Sequence, residues 1–295
     1  MAIEAISVQY EYKKHVNIRQ EMVENLREWI RKQPHLPAEF ITDLDIILAF
    51  HCCEYDTERT KHLIDLNFTV RTLFSFYQNR EVNECIEKAL DTWLVTPLST
   101  STKKGYRPIY CQILDSDPNK FVYQDAVRAF TMIVDLWQYE EGTVPGIVII
   151  LNMKDVSLGH ISQIDLIVAR QFFYYLQEGM IVKLKEFHFI NAPSHMDKLM
   201  MMIRPLMKDT FLNVIKVHEA GSKTIEEYFP IAALPEESTG IILKENILKK
   251  LKANRQFFED ESKKRVNEAK RPGGPKTISS FFSNVETSFK KLEID

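Results

Sequence analysis

The sequence predicts an α/β fold in which a small all-helical unit precedes a domain built on a mixed, mostly parallel sheet. Two apolar runs carry this prediction, at residues 145–153 and 183–193, with a helical segment rich in aromatic residues between them. Strands that are apolar on both faces are typical of buried parallel sheets, which need a crossover helix between neighbours. A third observation is the Met- and Leu-rich helix predicted at 196–211, whose apolar surface exceeds what one buried stripe requires.

The N-terminal unit, residues 1–90, is predicted to be helical. Its first helix has apolar residues at the spacing of one helix face: Ile18, Met22, Leu26, Trp29 and Ile30. Pro34 ends that helix. A second helix is predicted over about 39–52, and a third from Thr57, a residue suited to capping. Residues 81–104 are predicted to be transitional.

The α/β domain is assigned to residues 91–243. It is predicted to contain an edge strand at 108–114, a long helix at about 124–140, the βαβ unit and a short strand at 215–218. Residues 244–295 form a tail with a helix near 244–267. Residues 241–295 hold 13 Lys and Arg against 8 Asp and Glu, a charge of +5, so residues 1–240 carry −8 of the overall −3.

Composition limits the class of protein. An apolar content of 45% and a charged content of 27% are ordinary for a soluble globular protein, and no apolar run reaches the roughly 18 residues of a membrane span. The N-terminus lacks the pattern of a secretory signal, and four cysteines form no disulfide framework, so we expect reduced thiols and a cytoplasmic protein, peripheral at membranes. The charge balance argues against nucleic acid as a partner.

No catalytic or metal constellation is predicted, and the chain is not expected to be an enzyme or to need a cofactor. It has no Gly-x-Ser-x-Gly elbow and no complete phosphate loop. Cys52 and Cys53, adjacent on one helix, point about 100° apart and are interpreted as buried helical residues rather than metal ligands. His188, on an apolar strand, is interpreted as a core histidine with satisfied hydrogen bonds.

The tail contains one motif with two interpretations. Residues 278–282 have the Ile-x-x-Phe-Phe spacing of peptides that dock on the replication sliding clamp, but Pro275 stands where such peptides usually have Gln. We therefore favour a tail that packs back onto the domain through its apolar residues: Ile278, Phe281, Phe282 and Phe289.

Three apolar helix faces in the α/β domain together exceed what a few-stranded sheet needs on one side. They comprise Val127, Phe130, Thr131 and Val134; Phe172, Tyr175 and Leu176; and Met196, Leu199, Met200, Met202, Ile203 and Leu206. Methionine fills irregular or exchangeable space. Two interpretations follow, a cavity for a lipophilic ligand or an adhesive face for a partner or membrane, and a lid helix would serve both.

Several segments resemble the CRAL-TRIO (Sec14-like) lipid-binding family. These are Phe187–Pro193, an apolar strand ending in Ile-Asn-x-Pro; Ile203–Leu206, with its basic-Pro pair; and Ile215–His218, a strand ending in His. The N-terminal helices resemble the three-helix unit that precedes this domain, and the last eight residues resemble the tail of insect members. Within the family the chain is similar to the branch that carries tocopherol or retinaldehyde.

The resemblance implies three groups of site residues. The cavity wall would comprise Val127, Phe130, Thr131, Val134, Ile150, Phe172, Tyr175, Leu176, Met180, Leu184, Phe187, Leu199, Met202 and Ile203. Segment 196–211 would be a mobile gate that turns at Ile190–Pro193, with Met196, Met200, Leu206 and Phe211 as its gate residues. A membrane or phosphoinositide headgroup site would use Lys183 and Lys185; two further basic positions of the family fall on Thr210 and Val214, so Lys208 and Lys216 are expected to substitute.

The predicted function is intracellular binding of a lipophilic small molecule and its transfer between membranes, by a monomer. Phe130 and Val134 replace small polar residues of the tocopherol carriers, so the wall favours a long or polyene isoprenoid such as a carotenoid or retinoid, with tocopherol also in the class. The alternative is a phosphoinositide or phospholipid sensor, or exchange protein, in membrane trafficking. An adaptor that docks through its Met-rich helix is a third class.

Overall fold

The computed structural model describes residues 2–282, and the N-terminal part is helical as predicted. Within the described residues, five α-helices precede the sheet: α1 (Val8–Lys14), α2 (Gln20–Arg31), α3 (Asp43–Cys52), α4 (Thr57–Leu73) and α5 (Glu84–Thr92).

Local sequence sets the starts of α3 and α4. At α3, the Thr42 side chain accepts from the Asp45 backbone N–H, and the Asp45 carboxylate accepts from the Thr42 N–H at 2.8 Å, which is a capping box. At α4, Asp56 is the cap, since its carboxylate accepts from the Arg59 N–H at 2.9 Å. Thr57 was predicted as that cap and is instead the first helical residue.

Five strands in the described part of the chain form one sheet: β1 (Trp93–Pro97), β2 (Arg107–Ile113), β3 (Ile147–Asn152), β4 (Leu184–Ala192) and β5 (Ile215–Glu219). Their spatial order is the chain order; β1 is antiparallel to β2 and the remaining pairs are parallel. The mostly parallel sheet is confirmed, but β2 is not an edge strand. The segment at 81–104, predicted to be transitional, supplies both α5 and the edge strand β1.

The parallel connections all lie on one side of the sheet. Right-handed crossovers are nearly universal, and the strand order advances in one direction, so each connection returns over the same face. The helices of these connections are α6 (Tyr123–Glu141), α7 (Leu158–Ser162), α8 (Leu166–Tyr174), α9 (Met196–Ile203) and α10 (Asp209–Leu212). The opposite face carries a separate core. Its buried strand residues are Leu94, Tyr110, Val148, Ile150 and Ile190, and they pack with Ile225 and Phe229, which follow β5.

Two helices predicted as continuous are divided. The 196–211 segment is α9, a short 3-10 turn at Arg204–Leu206 and then α10, because Pro205 has no N–H to donate and its ring crowds the preceding turn. The C-terminal helix is α11 (Gly240–Ala253) followed by α12 (Arg255–Ser262). Asn254 separates them and accepts from the Ile3 N–H at 2.8 Å. No helix among residues 2–282 is long and apolar enough to cross a bilayer.

A buried ion cluster joins the N-terminal helices, α6 and α12. The guanidiniums of Arg71 and Arg80 each contact the carboxylates of Asp135 and Glu261 at 2.7 Å. Burial alone would raise the pKa of Asp135, but the two guanidiniums hold it at about 2. The three parts of the chain therefore share one electrostatic contact, and the proposed boundaries at residues 90 and 243 stay predictions.

The C-terminal segment packs back onto the domain through two of its four predicted residues. The rings of Phe281 and Phe282 lie 5.6 and 6.1 Å from that of Phe74. Ile278 is 40% exposed, and Phe289 lies outside the described residues.

Candidate ligand cavity and basic groove

An apolar cavity lies between the sheet and the helices of the crossover side. Alternate side chains of a strand point to opposite faces, so every second residue of each central strand faces these helices. The residues that do so line the cavity: Cys111 and Ile113 of β2, Ile149 and Leu151 of β3, and Phe187 and Phe189 of β4.

The helices close the other side. α6 contributes Ala126, Val127 and Phe130, α8 contributes Phe172 and Phe173, and α9 contributes Leu199 and Ile203. The Phe130 and Phe172 rings meet edge to face with centroids 5.3 Å apart. Tyr123 of α6 also lines the cavity, and the remaining lining residues come from β1, the loops and α7: Trp93, Phe121, Met153, Val156, His160, Ile161 and Ile164.

The cavity is apolar and its lining carries no charge. Its volume is about 130 Å³, and none of its lining residues is Asp, Glu, Lys or Arg. Small-molecule sites are mostly apolar with few polar groups. The arrangement suits a lipophilic molecule.

The structure brings together six of the fourteen predicted wall residues: Val127, Phe130, Phe172, Phe187, Leu199 and Ile203. Thr131, Val134 and Tyr175 are buried in the surrounding core, and Met202 is half-buried against it. Leu176, Met180 and Leu184 line a neighbouring groove instead.

Ile150 is not on the cavity side, and its assignment is corrected. It belongs to the core of the opposite face, with Tyr110 and Val148, whereas its neighbours Ile149 and Leu151 line the cavity. The two-residue period of a strand makes it impossible for adjacent residues to share one face.

The proposed gate segment lines the cavity through Leu199 and Ile203 of α9. Met196 and Phe211 are buried, while Met200 and Leu206 are half-buried against the core. Met201, absent from the predicted gate residues, is 74% exposed.

Side-chain amides hold the gate segment at two places. Just before it, Asn191 has a φ of +52°, and its amide donates to Asn152 Oδ1 at 2.9 Å. In its second half, Gln177 donates to the Leu206 carbonyl at 3.2 Å and accepts from the Lys208 N–H at 2.7 Å. Gln177 lies in a π-helical turn (Tyr175–Gly179) that follows α8.

A basic groove lies beside the gate, between α4 and β4. Its cationic and ionisable residues include Arg59, His62, Lys183, Lys185 and Lys208, and Thr210 and Val214 line it as well. Lys183 pairs with Glu54, and Lys208 pairs with Glu178 at 2.5 Å. Lys216 is not part of this groove; it donates to the Asn213 carbonyl at 3.3 Å.

Two other predictions concern polar residues. His188 is fully buried with both ring nitrogens engaged, Nδ1 at 2.9 Å from His218 Nε2 and Nε2 at 3.2 Å from Glu186 Oε2. Cys53 is buried and Cys52 half-buried, and burial raises the pKa of Cys52 to about 12, so this thiol stays protonated at neutral pH.

Sequence reasoning missed most of the lining that comes from strands and loops. Phe189, Ile149 and Leu151 could have been found. Phe189 lies two residues after Phe187 on the same predicted strand, so both face one side of the sheet, and Ile149 and Leu151 are likewise two residues apart on the other predicted strand. His160 lies in the five-residue helix α7 and Phe121 in a loop, and both segments are too short for a periodicity that indicates which way a side chain points.

Comparison with known proteins places the chain in a family. A family model described as "CRAL/TRIO domain" matches residues 93–240, about half of the chain, and one described as "Pinta-like, UBA domain" matches residues 16–85.

The chain is also similar to proteins named "Alpha-tocopherol transfer protein-like". It is 24% identical to the Homo sapiens protein over 220 residues and 23% identical to the Mus musculus protein over 225. Each match covers 74% of this chain and 64% of the relative, which is less than two thirds of the relative's length. The crystal structure of Sfh5 superposes with a TM-score of 0.38 at 10% identity, covering 79% of this chain and 99% of that one.

Proposed function

Because the chain belongs to the CRAL/TRIO family, whose members bind and transfer lipids, we propose that it carries a lipophilic isoprenoid in the cavity and transfers it between membranes. Carotenoids, retinoids and tocopherols are the ligand class. The carrier is a monomer in the cytoplasm, catalyses no reaction, and associates with membranes only to exchange its ligand.

The apolar, uncharged cavity is the observation that carries this proposal. A ligand that buries roughly 400 to 500 Å² of apolar surface, at about 25 cal/mol per Å², offers roughly 10 to 12 kcal/mol before the ordering costs of binding. No charged contact is required for tight capture. A ligand of this type dissolves poorly in water, so its exchange requires contact with a bilayer.

Exposed apolar side chains near the cavity support a membrane-docking role for the gate. Met201 is exposed on α9, whose Leu199 and Ile203 line the cavity. Leu166 and Ile167, at the start of α8, are also exposed, at 53% and 70%. Apolar side chains in water at the cover of an apolar cavity suit insertion into the boundary between lipid headgroups and acyl chains.

Transfer between vesicles tests this function. Protein loaded with retinol is mixed with acceptor vesicles, and the rate of ligand transfer is compared with equilibrium affinity. Met201→Asp is expected to slow transfer at least about fivefold and to leave affinity unchanged, because a charge resists entry into lipid without touching the cavity. Ile241→Asp, at a 63% exposed position on α11, is the matched control and should leave both unchanged. Equal transfer rates for the three proteins would contradict the gate assignment.

The basic groove favours a second candidate, a phosphoinositide or phospholipid sensor. Arg59, Lys183, Lys185 and Lys208 converge there, although Glu54 and Glu178 already pair with two of them. Binding to vesicles with and without a phosphoinositide, compared between the native chain and Lys183→Ala/Lys185→Ala, tests this candidate. A sensor requires phosphoinositide-dependent binding that the double variant loses, together with a cavity that takes up no isoprenoid.

A further inference from the structure

One imidazole nitrogen in the cavity wall lacks a hydrogen-bond partner. His160 lines the cavity and is 3% exposed, and its Nε2 atom is buried with no partner among the described residues. The other such buried atoms of the described chain belong to His35, Tyr77, Arg80 and Arg107, none of which lines the cavity. Buried polar groups are nearly always paired, so this nitrogen calls for an explanation.

The contacts of the other ring nitrogen fix the role of Nε2. His160 is the third residue of α7, and its Nδ1 accepts from the Ser157 backbone N–H at 3.1 Å as part of a capping box. A nitrogen that accepts carries no hydrogen, so the proton of the neutral ring is assigned to Nε2. Nε2 is therefore a donor in need of an acceptor.

The same contacts fix the direction of Nε2. Nδ1 faces the Ser157 cap, with Ser157 Oγ at 2.9 Å, so the far edge of the ring is directed away from the helix start. The ring of Phe121, another lining residue, lies 5.9 Å from that of His160. The His160 ring therefore borders the apolar lining of the cavity.

Water is a poor acceptor at this position. A buried water needs two to four polar partners, and cavities lined by apolar side chains stay dry. The cavity residues beside His160 are apolar, so the ligand itself is the natural source of an acceptor on that side.

We propose that His160 Nε2–H donates to an oxygen of the bound ligand, which is therefore a lipophilic alcohol, aldehyde, ketone or ester and not a plain hydrocarbon. This inference rests on the proposed function and deepens it. His160 orients one end of the molecule, and the rest of the ligand fills the space lined by phenylalanine and aliphatic residues. Hydrocarbon members of the isoprenoid class are disfavoured because they leave a buried donor unpaired.

A matched ligand pair tests this inference. Retinol and the hydrocarbon in which hydrogen replaces its hydroxyl group are titrated against the protein, with quenching of tryptophan fluorescence as the signal, since Trp93 lines the cavity. The native protein is expected to bind retinol about tenfold more tightly than the hydrocarbon, a difference of about 1.4 kcal/mol.

Two variants separate the donor from the cap. His160→Asn retains an acceptor for the Ser157 N–H but lacks Nε2, and it should bind the two ligands within about twofold of each other. Ser157→Ala removes the hydroxyl at the cap, leaves Nε2 in place, and should keep the tenfold preference. The hydrocarbon affinity, expected to be equal in all three proteins, controls for the integrity of the fold.

A spectroscopic measurement on the native chain requires no variant. The carbonyl stretch of bound retinal is expected at lower frequency than in hexane, as for a hydrogen-bonded carbonyl. An unshifted stretch, equal affinities for the ligand pair in the native protein, or a full preference in His160→Asn would each overturn the role of His160 while leaving the carrier function intact. Failure to bind either ligand would overturn the carrier function itself.

Discussion

On one side of strand β3, Ile149 and Leu151 border open space, whereas on the other side Ile150 and Val148 are buried in continuous core. The same alternation holds on β4, where Phe187 and Phe189 face the cavity and Ile190 faces the packed side. Protein interiors normally leave few voids larger than a water molecule. The cavity of about 130 Å³ between the sheet and the crossover helices is therefore a specific feature of this side.

The difference separates two kinds of residue that look alike in the sequence. Side chains on the packed face hold the sheet to the segment that follows β5, and their loss should reduce stability. Side chains on the cavity face border open space, and their substitution should alter which ligands the cavity binds. The predictions that follow test this division.

The largest effect is expected at Phe229, which is fully buried on the packed face. Phe229→Ala should lower the free energy of unfolding by about 3–5 kcal/mol, because removal of the aromatic ring leaves a cavity that the neighbouring side chains cannot fill. Ligand stoichiometry in the folded fraction should not change. Urea unfolding monitored by circular dichroism measures the free energy of unfolding, and lipid extraction measures the ligand stoichiometry. A decrease in the free energy of unfolding below about 1 kcal/mol would contradict the packed character of this face.

A pair of neighbouring substitutions tests the division more directly. Ile150→Phe adds volume to the packed face and should cost about 1–3 kcal/mol of stability with ligand uptake unchanged. Ile149→Phe places the same ring in the cavity, where space exists, and should cost less than about 1 kcal/mol while weakening ligand binding. Unfolding and binding titrations on both variants provide the measurements. If the two variants behaved alike, the two faces would not differ in the way described.

The smallest effect is expected from pH and involves histidines of the packed face. Burial lowers the pKa of His188 and of His218 below the ordinary value of 6.5. Glu186 beside His188 and Glu227 near His218 oppose this change, whereas Lys216 adds to it at both histidines, and His218 adds to it at His188. The Tyr228 ring lies 4.8 Å from that of His188, Lys104 pairs with Glu186, and Thr224 Oγ1 lies 2.7 Å from His218 Nδ1.

Since the unfolded chain then binds more protons below pH 6.5, stability should fall as the pH drops from 7 toward 5. Thermal unfolding at both pH values should show a smaller drop in Tm for His188→Gln than for the native chain. His51, with a pKa lowered to about 4 chiefly by burial, contributes to the same drop in both proteins. Exposed His62, changed to Gln, is the control and should leave the drop unchanged. If Tm fell by the same amount in His188→Gln as in the native chain, His188 and His218 would be excluded as the cause of the pH dependence.

The sequence predicts the strands and the long helix well because their periodicities are strong. Apolar runs at 145–153 and 183–193 indicate β3 and β4, and the spacing around Phe130 indicates α6 within a residue or two of its bounds. β1 was missed because it has only five residues and ends at Pro97, so the alternation of apolar and polar residues is too short to recognise. The division of 196–211 at Pro205 follows from the chemistry of proline and could have been predicted.

The candidate site was only partly predictable, for geometric reasons. A helix face such as Val127 and Phe130 can be recognised from spacing, but which buried residues border empty space depends on how the elements pack. Thr131 and Val134 lie on the same helix yet are enclosed by core. His160 could not be singled out at all, because its importance depends on a cap contact at one nitrogen and the absence of any contact at the other.

The lipid content of the purified protein tests the central claim most directly. Protein expressed in cells that make isoprenoids is extracted with organic solvent, and the extract is analysed by absorbance and mass spectrometry. The account predicts an isoprenoid that bears an oxygen, at close to one molecule per chain, and a reduced amount in Ile149→Phe but not in Ile150→Phe. A protein that contains only phospholipid, or that stays empty after incubation with isoprenoids, would contradict it.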